Sequence, residues 1–186
     1  MNPIKFFRRL AIILIIISSG FLKADEPYTI QLEQVNIPGS PKIHSFAFAD
    51  DNGKWLFIGG RINGMHGFDA ATAFPKQFSN TNIFVVDPST NMTYSRNLFT
   101  DLNFTVADPL RSTNMQYYYD GTKLYITGGY GFDSTFNDLL TFPTLTVVDV
   151  SQTIQAVING TSVAPYIRQI SDQRMKVCGG EMQKLG

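Results

Sequence analysis

The chain has 186 residues, and its 15 basic and 15 acidic side chains give a formal net charge of zero. This balance excludes the basic stripe of a nucleic-acid-binding protein and the acidic tail of a protein with a charge-based partner. The 15 Phe and 8 Tyr residues, against 16% charged residues, suit strands packed on both faces and exclude a wholly disordered chain. The composition therefore predicts one folded domain of β structure.

Residues 1–24 have the layout of a secretory signal peptide. Three basic residues precede an apolar run at 10–17, and small residues then lead to a cleavage site before Asp25. An uncleaved anchor is the less favoured alternative, because the apolar run is well short of the ~20 residues that a spanning helix needs. We expect the mature chain to be secreted, into the periplasm or the extracellular space, with no stable membrane span after cleavage.

The first half of the mature chain predicts short strands separated by turns. Alternating apolar residues predict strands at Tyr28–Leu32 and Ile43–Ala49, and the turn at 50–53 joins the second of these to Trp55–Ile58 in a tight hairpin. After a long loop, the turn at Asp87–Asn91 links two further strands, which are predicted at 82–86 and 92–95. A second long connection at 98–112 shows little periodicity.

The second half repeats this order. Strands are predicted at 114–119 and 124–127 across the Asp120–Gly121 turn, and a loop at 130–143 then leads to strands at 145–150 and 155–158. No helix longer than a short turn is predicted.

The two halves share a ten-residue unit. Asp51–Gly60 and Asp120–Gly129 each place a glycine-containing turn before an apolar strand that ends on a glycine pair. The pairs Gly59–Gly60 and Gly128–Gly129 lie 69 positions apart, and such a fixed period is typical of tandem arrays and propellers. Glycine suits a strand end where neighbouring backbones crowd or where φ is positive.

The motifs of the first repeat resemble a kelch blade. Gly59–Gly60 is followed by Asn82-Ile-Phe-Val-Val-Asp87-Pro88-Ser-Thr90 and then by Tyr94. The second repeat keeps its glycine pair and Val148-Asp149, but it has Thr144 and Ala156 at the positions of Asn82 and Tyr94. The resemblance covers roughly residues 42–186, and it implies a fold rather than an activity.

We therefore expect an all-β fold, a partial kelch-type β-propeller of four-stranded antiparallel blades at 25–186. Blade one is placed at about 42–96, blade two at about 113–158, and the start of blade three at about 174–186. Since propellers close with about four to eight blades, the sequence predicts the N-terminal piece of a longer protein. Gly179–Gly180 is out of register with the other two pairs, and we do not assign it to a blade signature.

Strand alternation predicts that the long segments share one rim of the blades. These segments are 61–81, 98–112, 130–143 and 159–174, and the short turns lie opposite. Because loops carry function more often than scaffolds do, the ligand-binding candidates are the charged loop residues Arg61, His66, Asp69, Arg111, Asp133 and Arg168. Arginine suits carboxylate or sulfate groups, although for each of these residues taken singly a solvated loop side chain is the stronger interpretation.

Two functions are compatible with this pattern. The first is an exported, non-catalytic scaffold that binds a protein or a glycan on the long-loop rim. The alternative, implied by the kelch resemblance, is a carbohydrate-active enzyme of sugar mutarotase or oxidase type with its catalytic groups in further blades. We identify no catalytic motif, cofactor or metal site, and we expect the single cysteine, Cys178, to be a buried small hydrophobe.

Overall fold

The computed structural model describes residues 29–64, 67–69 and 72–185. The chain divides into two units, 1–35 and 36–186. In the first unit, residues 29–35 belong to no helix or strand, so the strand predicted at Tyr28–Leu32 is wrong over its described part. The predicted signal peptide lies outside the described residues.

Sheet 1 is a four-stranded antiparallel meander. Its strands are β1 (Ala47–Asp51), β2 (Lys54–Ile58), β3 (Asn82–Asp87) and β4 (Met92–Asn97), hydrogen-bonded in that order. The β1–β2 hairpin closes through Asn52 and Gly53, whose φ angles of 48° and 74° match the two positive angles of a type I′ turn. The predicted hairpin is confirmed.

Sheet 2 repeats this arrangement with an insertion. Its strands are β5 (Gln116–Tyr119), β6 (Lys123–Thr127), β9 (Thr144–Asp149) and β10 (Ile167–Ser171), paired antiparallel in that order. Between β6 and β9 lies a separate hairpin of β7 (Tyr130–Asp133) and β8 (Asp138–Thr141), where the sequence predicted a loop. The mostly β character and the two antiparallel four-stranded sheets agree with the predicted all-β class.

Two short helices occupy the connection between the sheets. Helix α1 spans Leu98–Asp101 and helix α2 spans Phe104–Leu110. Each begins after an asparagine whose side chain accepts a backbone N–H: Asn97 accepts from Phe99, and Asn103 accepts from Val106. These caps explain why a segment with little periodicity is helical.

The fourth strand of sheet 2 lies later in the chain than predicted. Residues 155–158 belong to a ten-residue helix, α3 (Val150–Asn159), and the strand that pairs with β9 is β10. The Asp149 side chain caps the helix by accepting the N–H of Gln152, and Gly160 ends it with a φ of 66°. Arg168, not Ala156, therefore occupies the position that Tyr94 holds in sheet 1.

The two sheets pack through unlike faces. Sheet 1 contributes its aliphatic face, composed of Ala47, Ala49, Leu56, Ile58, Ile83 and Val85, all fully buried. Sheet 2 contributes Leu124, Ile126 and Val148 to the same core. Leu56 of sheet 1 corresponds to Tyr125 of sheet 2 in the 69-residue repeat. The face of sheet 2 that is equivalent to the aliphatic face of sheet 1 is therefore its half-exposed tyrosine face, which carries Tyr118 and Tyr125.

Sheet 1 has the matching open surface. Its aromatic face carries Trp55, Phe57 and Phe84 and corresponds to the buried face of sheet 2. Trp55 is 38% exposed, while its counterpart Leu124 is fully buried. The sheets are thus related head to tail.

Helix α3 fills the space beside sheet 1. It contacts β1, β2, β3 and β4, and its buried side chains recur at the three- and four-residue spacing of one helical face: Val150, Thr153, Ile154, Ala156 and Val157. Strand β9 ends and β10 begins at the rim of the short turns, so the chain leaves and re-enters sheet 2 at that rim. The prediction of one irregular segment at 159–174 is wrong where Ile167–Ser171 forms strand β10.

Equivalent polar contacts mark the two repeats. Lys54 pairs with Asp87 at 3.4 Å in sheet 1, and Lys123 pairs with Asp149 at 2.5 Å in sheet 2. The N–H of Gly60 donates to Ser112 O at 2.8 Å, and that of Gly129 donates to Val177 O at 2.9 Å. Val177 therefore takes the place of Ser112, which supports the alignment that separates Gly179–Gly180 from the other glycine pairs.

Candidate ligand-binding cleft

A cleft of about 500 Å³ opens where three long segments meet. These are the β2–β3 loop, the connection between the sheets and the β7–β8 hairpin. We call it the interloop cleft and define it by its lining residues, which are Ile62, Lys76, Gln77, Ser79, Asn80, Thr81, Asn82, Phe84, Arg111, Phe132 and Ser134. Segments 61–81, 98–112 and 130–143, which the sequence predicts at one rim, all contribute residues to this site.

Arg111 is held firmly at the wall of the cleft. It is 9% exposed, and its Nη2 lies 2.6 Å from Asp108 Oδ1. The same nitrogen donates to Phe132 O and to Ser134 Oγ, and the guanidinium lies 5.1 Å from the ring centroid of Phe99. Arg111 Nε is buried and has no hydrogen-bond partner among the described residues. An unpaired buried donor is costly unless some partner reaches it.

Asp108 ties this arginine to the β7–β8 hairpin. Its Oδ2 accepts the backbone N–H of Ser134 at 2.7 Å, and its Oδ1 accepts from Ser134 Oγ at 3.3 Å. Asp108 is 1% exposed, so the ion pair with Arg111 forms largely out of water. The pair fixes the hairpin against helix α2 and neutralises most of the arginine charge.

Lys76 is the exposed cation of the cleft. It lies in a short 3-10 turn, Lys76–Phe78, and its Nζ is 4.4 Å from the centroid of the Phe132 ring. This contact is a cation–π interaction that orients the ammonium group. No carboxylate lies within ion-pair distance of Lys76 among the described residues.

Asparagine side chains build the floor of the cleft at the start of β3. Asn80 Nδ2 donates to Gly59 O and to Asn82 O, which fixes the loop as it enters the strand. Asn97 Nδ2 donates to Asn82 Oδ1 at 3.2 Å and to Thr81 Oγ1 at 3.2 Å. Asn82 Nδ2 donates to no described residue, so its amide N–H groups are available as donors.

Arg61 is a structural residue. It is 2% exposed, its Nη2 donates to Pro75 O at 2.8 Å, and its Nε donates to Asn63 Oδ1 at 3.1 Å. Burial lowers the pKa of its guanidinium from the ordinary value. Arg61 holds the two ends of the β2–β3 loop together and does not line the interloop cleft.

The other predicted residues are dispersed. Asp133 Oδ1 accepts the N–H groups of Thr135 and Phe136, and Asp133 lines a neighbouring cleft of about 630 Å³. Arg168 is exposed and lies near the short-turn rim, beside Asp149. Asp69 Oδ1 accepts from Thr72 Oγ1 within its own loop, and His66 lies outside the described residues. Of the six candidates, Arg111 alone lines the interloop cleft among those that the structure describes.

Sequence reasoning missed the residues that accompany Arg111. Lys76 and the polar run Ser79–Asn82 stand directly before β3, at the rim where the long loops meet. Because these residues directly precede a predicted strand, the sequence could have indicated that they lie at this rim. The contact of Ser134 with Asp108 spans 26 positions, and no periodic pattern encodes it.

No group of three or more His, Cys, Asp or Glu side chains suited to a metal ion occurs within the described ranges. Cys178 is exposed, so the prediction of a buried cysteine is wrong. Over that same part of the chain, no helix combines the length and the apolar character that crossing a membrane requires.

Comparison with protein-family models and with curated protein sequences finds no match for this chain.

Proposed function

We propose that this chain is an exported ligand-binding module built from kelch-type propeller blades, and that its ligand binds in the interloop cleft. The observation that carries the proposal is the cleft itself. Three long segments meet there around a fixed arginine, an exposed lysine and a row of amide and hydroxyl groups. These are groups that bind a polar ligand, and the rigid sheets hold them in place.

The kelch-type architecture is supported by the repeat and by the packing. Both sheets are four-stranded antiparallel meanders whose second strand ends on a glycine pair. They pack head to tail, and the open aromatic and tyrosine faces are the counterparts of buried ones. Tandem propeller blades present their faces in this way, with each blade covering the next.

Export is proposed from the sequence of residues 1–24 alone. A secreted scaffold that recognises a protein or a glycan would use the long-loop rim, because the opposite rim consists of tight turns around sheet 1. The hydroxyl, amide, ammonium and guanidinium groups that line the cleft match either ligand class.

Nuclear magnetic resonance of the isotope-labelled chain tests the proposal. A panel of neutral saccharides, acidic saccharides and peptides is titrated while backbone amide shifts are followed. We expect at least one ligand to shift the amides of 79–82 and 132–134 and to leave those of the turns at 50–53 and 87–91 unchanged. If no ligand of the panel shifts the cleft amides, or if shifts occur only at the short turns, the proposed site is wrong.

A further inference from the structure

We propose that the interloop cleft prefers an acidic saccharide, whose carboxylate pairs with Lys76. This inference rests on the proposed function, since it names the ligand class of the same site. The first observation is the charge of the lining. The described lining contains two cations, Lys76 and Arg111, and no carboxylate.

The carboxylates nearest to this lining are already engaged. Asp108 pairs with Arg111 and accepts from Ser134. Asp133 accepts two backbone N–H groups and Asp138 accepts that of Leu139, and both of these residues line neighbouring clefts. Arg111 is therefore neutralised by Asp108, whereas the charge of Lys76 is left for a ligand. A carboxylate that enters the cleft gains a charge-assisted hydrogen bond from this ammonium group.

The lining also includes residues with hydrogen-bond donors that the described residues leave without an acceptor. Among the described residues, Arg111 Nε is buried without a partner, and Asn82 Nδ2 donates to none while Asn82 Oδ1 accepts from Asn97. A ligand oxygen that reaches Arg111 Nε would satisfy a donor that the described residues leave unpaired. Acceptor-rich ligands fit this set of groups better than donor-rich ones do.

The remainder of the lining suits a sugar ring. Ser79, Thr81 and Ser134 offer hydroxyl groups that both donate and accept, which matches the hydroxyls of a pyranose. Phe84 and Ile62 supply an apolar wall against which the C–H face of a sugar packs. The volume of about 500 Å³ lies within the ordinary range of small-ligand sites.

A matched pair of sugars tests the preference. Methyl β-D-glucuronide and methyl β-D-glucoside differ in a carboxylate against a hydroxymethyl group, and each is titrated into the full chain at low ionic strength while the cleft amides are followed. We expect the glucuronide to bind roughly fivefold or more tightly than the glucoside, and added salt to reduce the difference. Lys76→Gln should remove the preference, while Arg168→Gln, at the opposite rim, should leave it unchanged.

The outcomes separate this inference from the proposed function. Equal affinity of the two sugars for the unmodified chain, or an unchanged preference in Lys76→Gln, overturns the inference and leaves a binding cleft in place. If neither sugar shifts the cleft amides while a peptide does, the saccharide assignment is wrong and the proposed function stands. If nothing in the panel shifts them, both are wrong. Lys76 is exposed in a short turn, so its replacement should not unfold the chain.

Discussion

Arg96 forms a bidentate ion pair with Asp101, with Nε 2.5 Å from Oδ2 and Nη2 2.6 Å from Oδ1. The same two side chains hold the segment after helix α3: Arg96 Nη1 donates to Gly160 O, and Asp101 Oδ2 accepts the N–H of Val163. The hydrogen bond from Arg96 is the main cause that holds the pKa of Asp101 below its ordinary value. Arg96 of sheet 1 and Asp101 of helix α1 thus anchor the segment that connects helix α3 to strand β10 of sheet 2.

Replacing Asp101 should therefore loosen the contact between the two repeats. Its side chain is only 4% exposed, and Asp101→Ala leaves Arg96 and the N–H of Val163 without their acceptor. We expect the free energy of unfolding to fall by roughly 2–3 kcal/mol, less than for a fully buried pair because Arg96 is partly hydrated. Urea denaturation measures the change. Asp172→Ala, which removes the exposed pair with Arg174, is the control and should shift the midpoint far less.

Helix α3 should contribute to stability through its buried face. Ile154 is 1% exposed and belongs to the core shared by both sheets. Truncation in Ile154→Ala leaves a cavity, and we expect it to cost about 2–4 kcal/mol of unfolding free energy. Gln155→Ala, on the exposed face of the same helix, should have little effect. Equal effects of the two replacements in urea denaturation would contradict the packing of α3 on sheet 1.

Replacing Gly60 of the pair Gly59–Gly60 by alanine should lower stability through steric crowding as well as through its backbone conformation. Gly60 has a φ of 84°, and a Cβ atom there would collide with the carbonyl group of His44. Gly53 has a φ of 74° but open space around it, so it isolates the conformational cost. We expect Gly53→Ala to cost about 1 kcal/mol and Gly60→Ala roughly 3 kcal/mol or more. Thermal or urea unfolding measures both losses of stability. Equal losses in Gly53→Ala and Gly60→Ala would contradict the predicted crowding at Gly60.

Two turn carboxylates should make stability fall in acid. Ser89 is the main donor that lowers the pKa of Asp87 from 3.8 to about 2, and the N–H of Lys123 is the main one that lowers that of Asp120 to about 2. Because the pKa values are lower in the folded chain, this stabilisation is present above about pH 4 and is lost as the pH falls towards 2.

We expect the urea midpoint to fall as the pH is lowered from about 5 to about 2. The double variant Asp87→Asn and Asp120→Asn should show a shallower fall over the same interval, because its two turns no longer titrate. An identical pH profile in the variant would show that the turns do not cause the acid sensitivity.

The sequence predicts the parts of this fold that local chemistry dictates. Asn52–Gly53 and the alternation in β2 and β3 specify a hairpin and its faces without distant contacts. The strand predicted at 155–158 failed for a different reason. Val157 and Ile158 favour strands, but the Asp149 cap, the Gly160 stop and burial against sheet 1 select a helix. The contacts that select a helix over a strand at 155–158 are made with sheet 1, which belongs to the first repeat.

The sequence predicts the rim at which the cleft lies but not the cleft itself. Strand alternation brings the long segments to one rim, so Arg111 was found there. Lys76 is oriented by its contact with Phe132, which lies in a hairpin that the sequence predicts as a loop. Arg61 binds its own loop instead of lining the cleft, and nothing local in the sequence distinguishes such an arginine from one that binds a ligand.

Amide hydrogen exchange at Gly60 and Gly129 tests the central claim, that the two repeats are equivalent and linked in tandem. Each amide donates to a carbonyl at the start of the following segment, Ser112 O or Val177 O. We predict strong protection of both amides relative to that of Gly53, which lies at the exposed β1–β2 turn. Free exchange at Gly129 alongside a protected Gly60 would contradict the equivalence of the repeats.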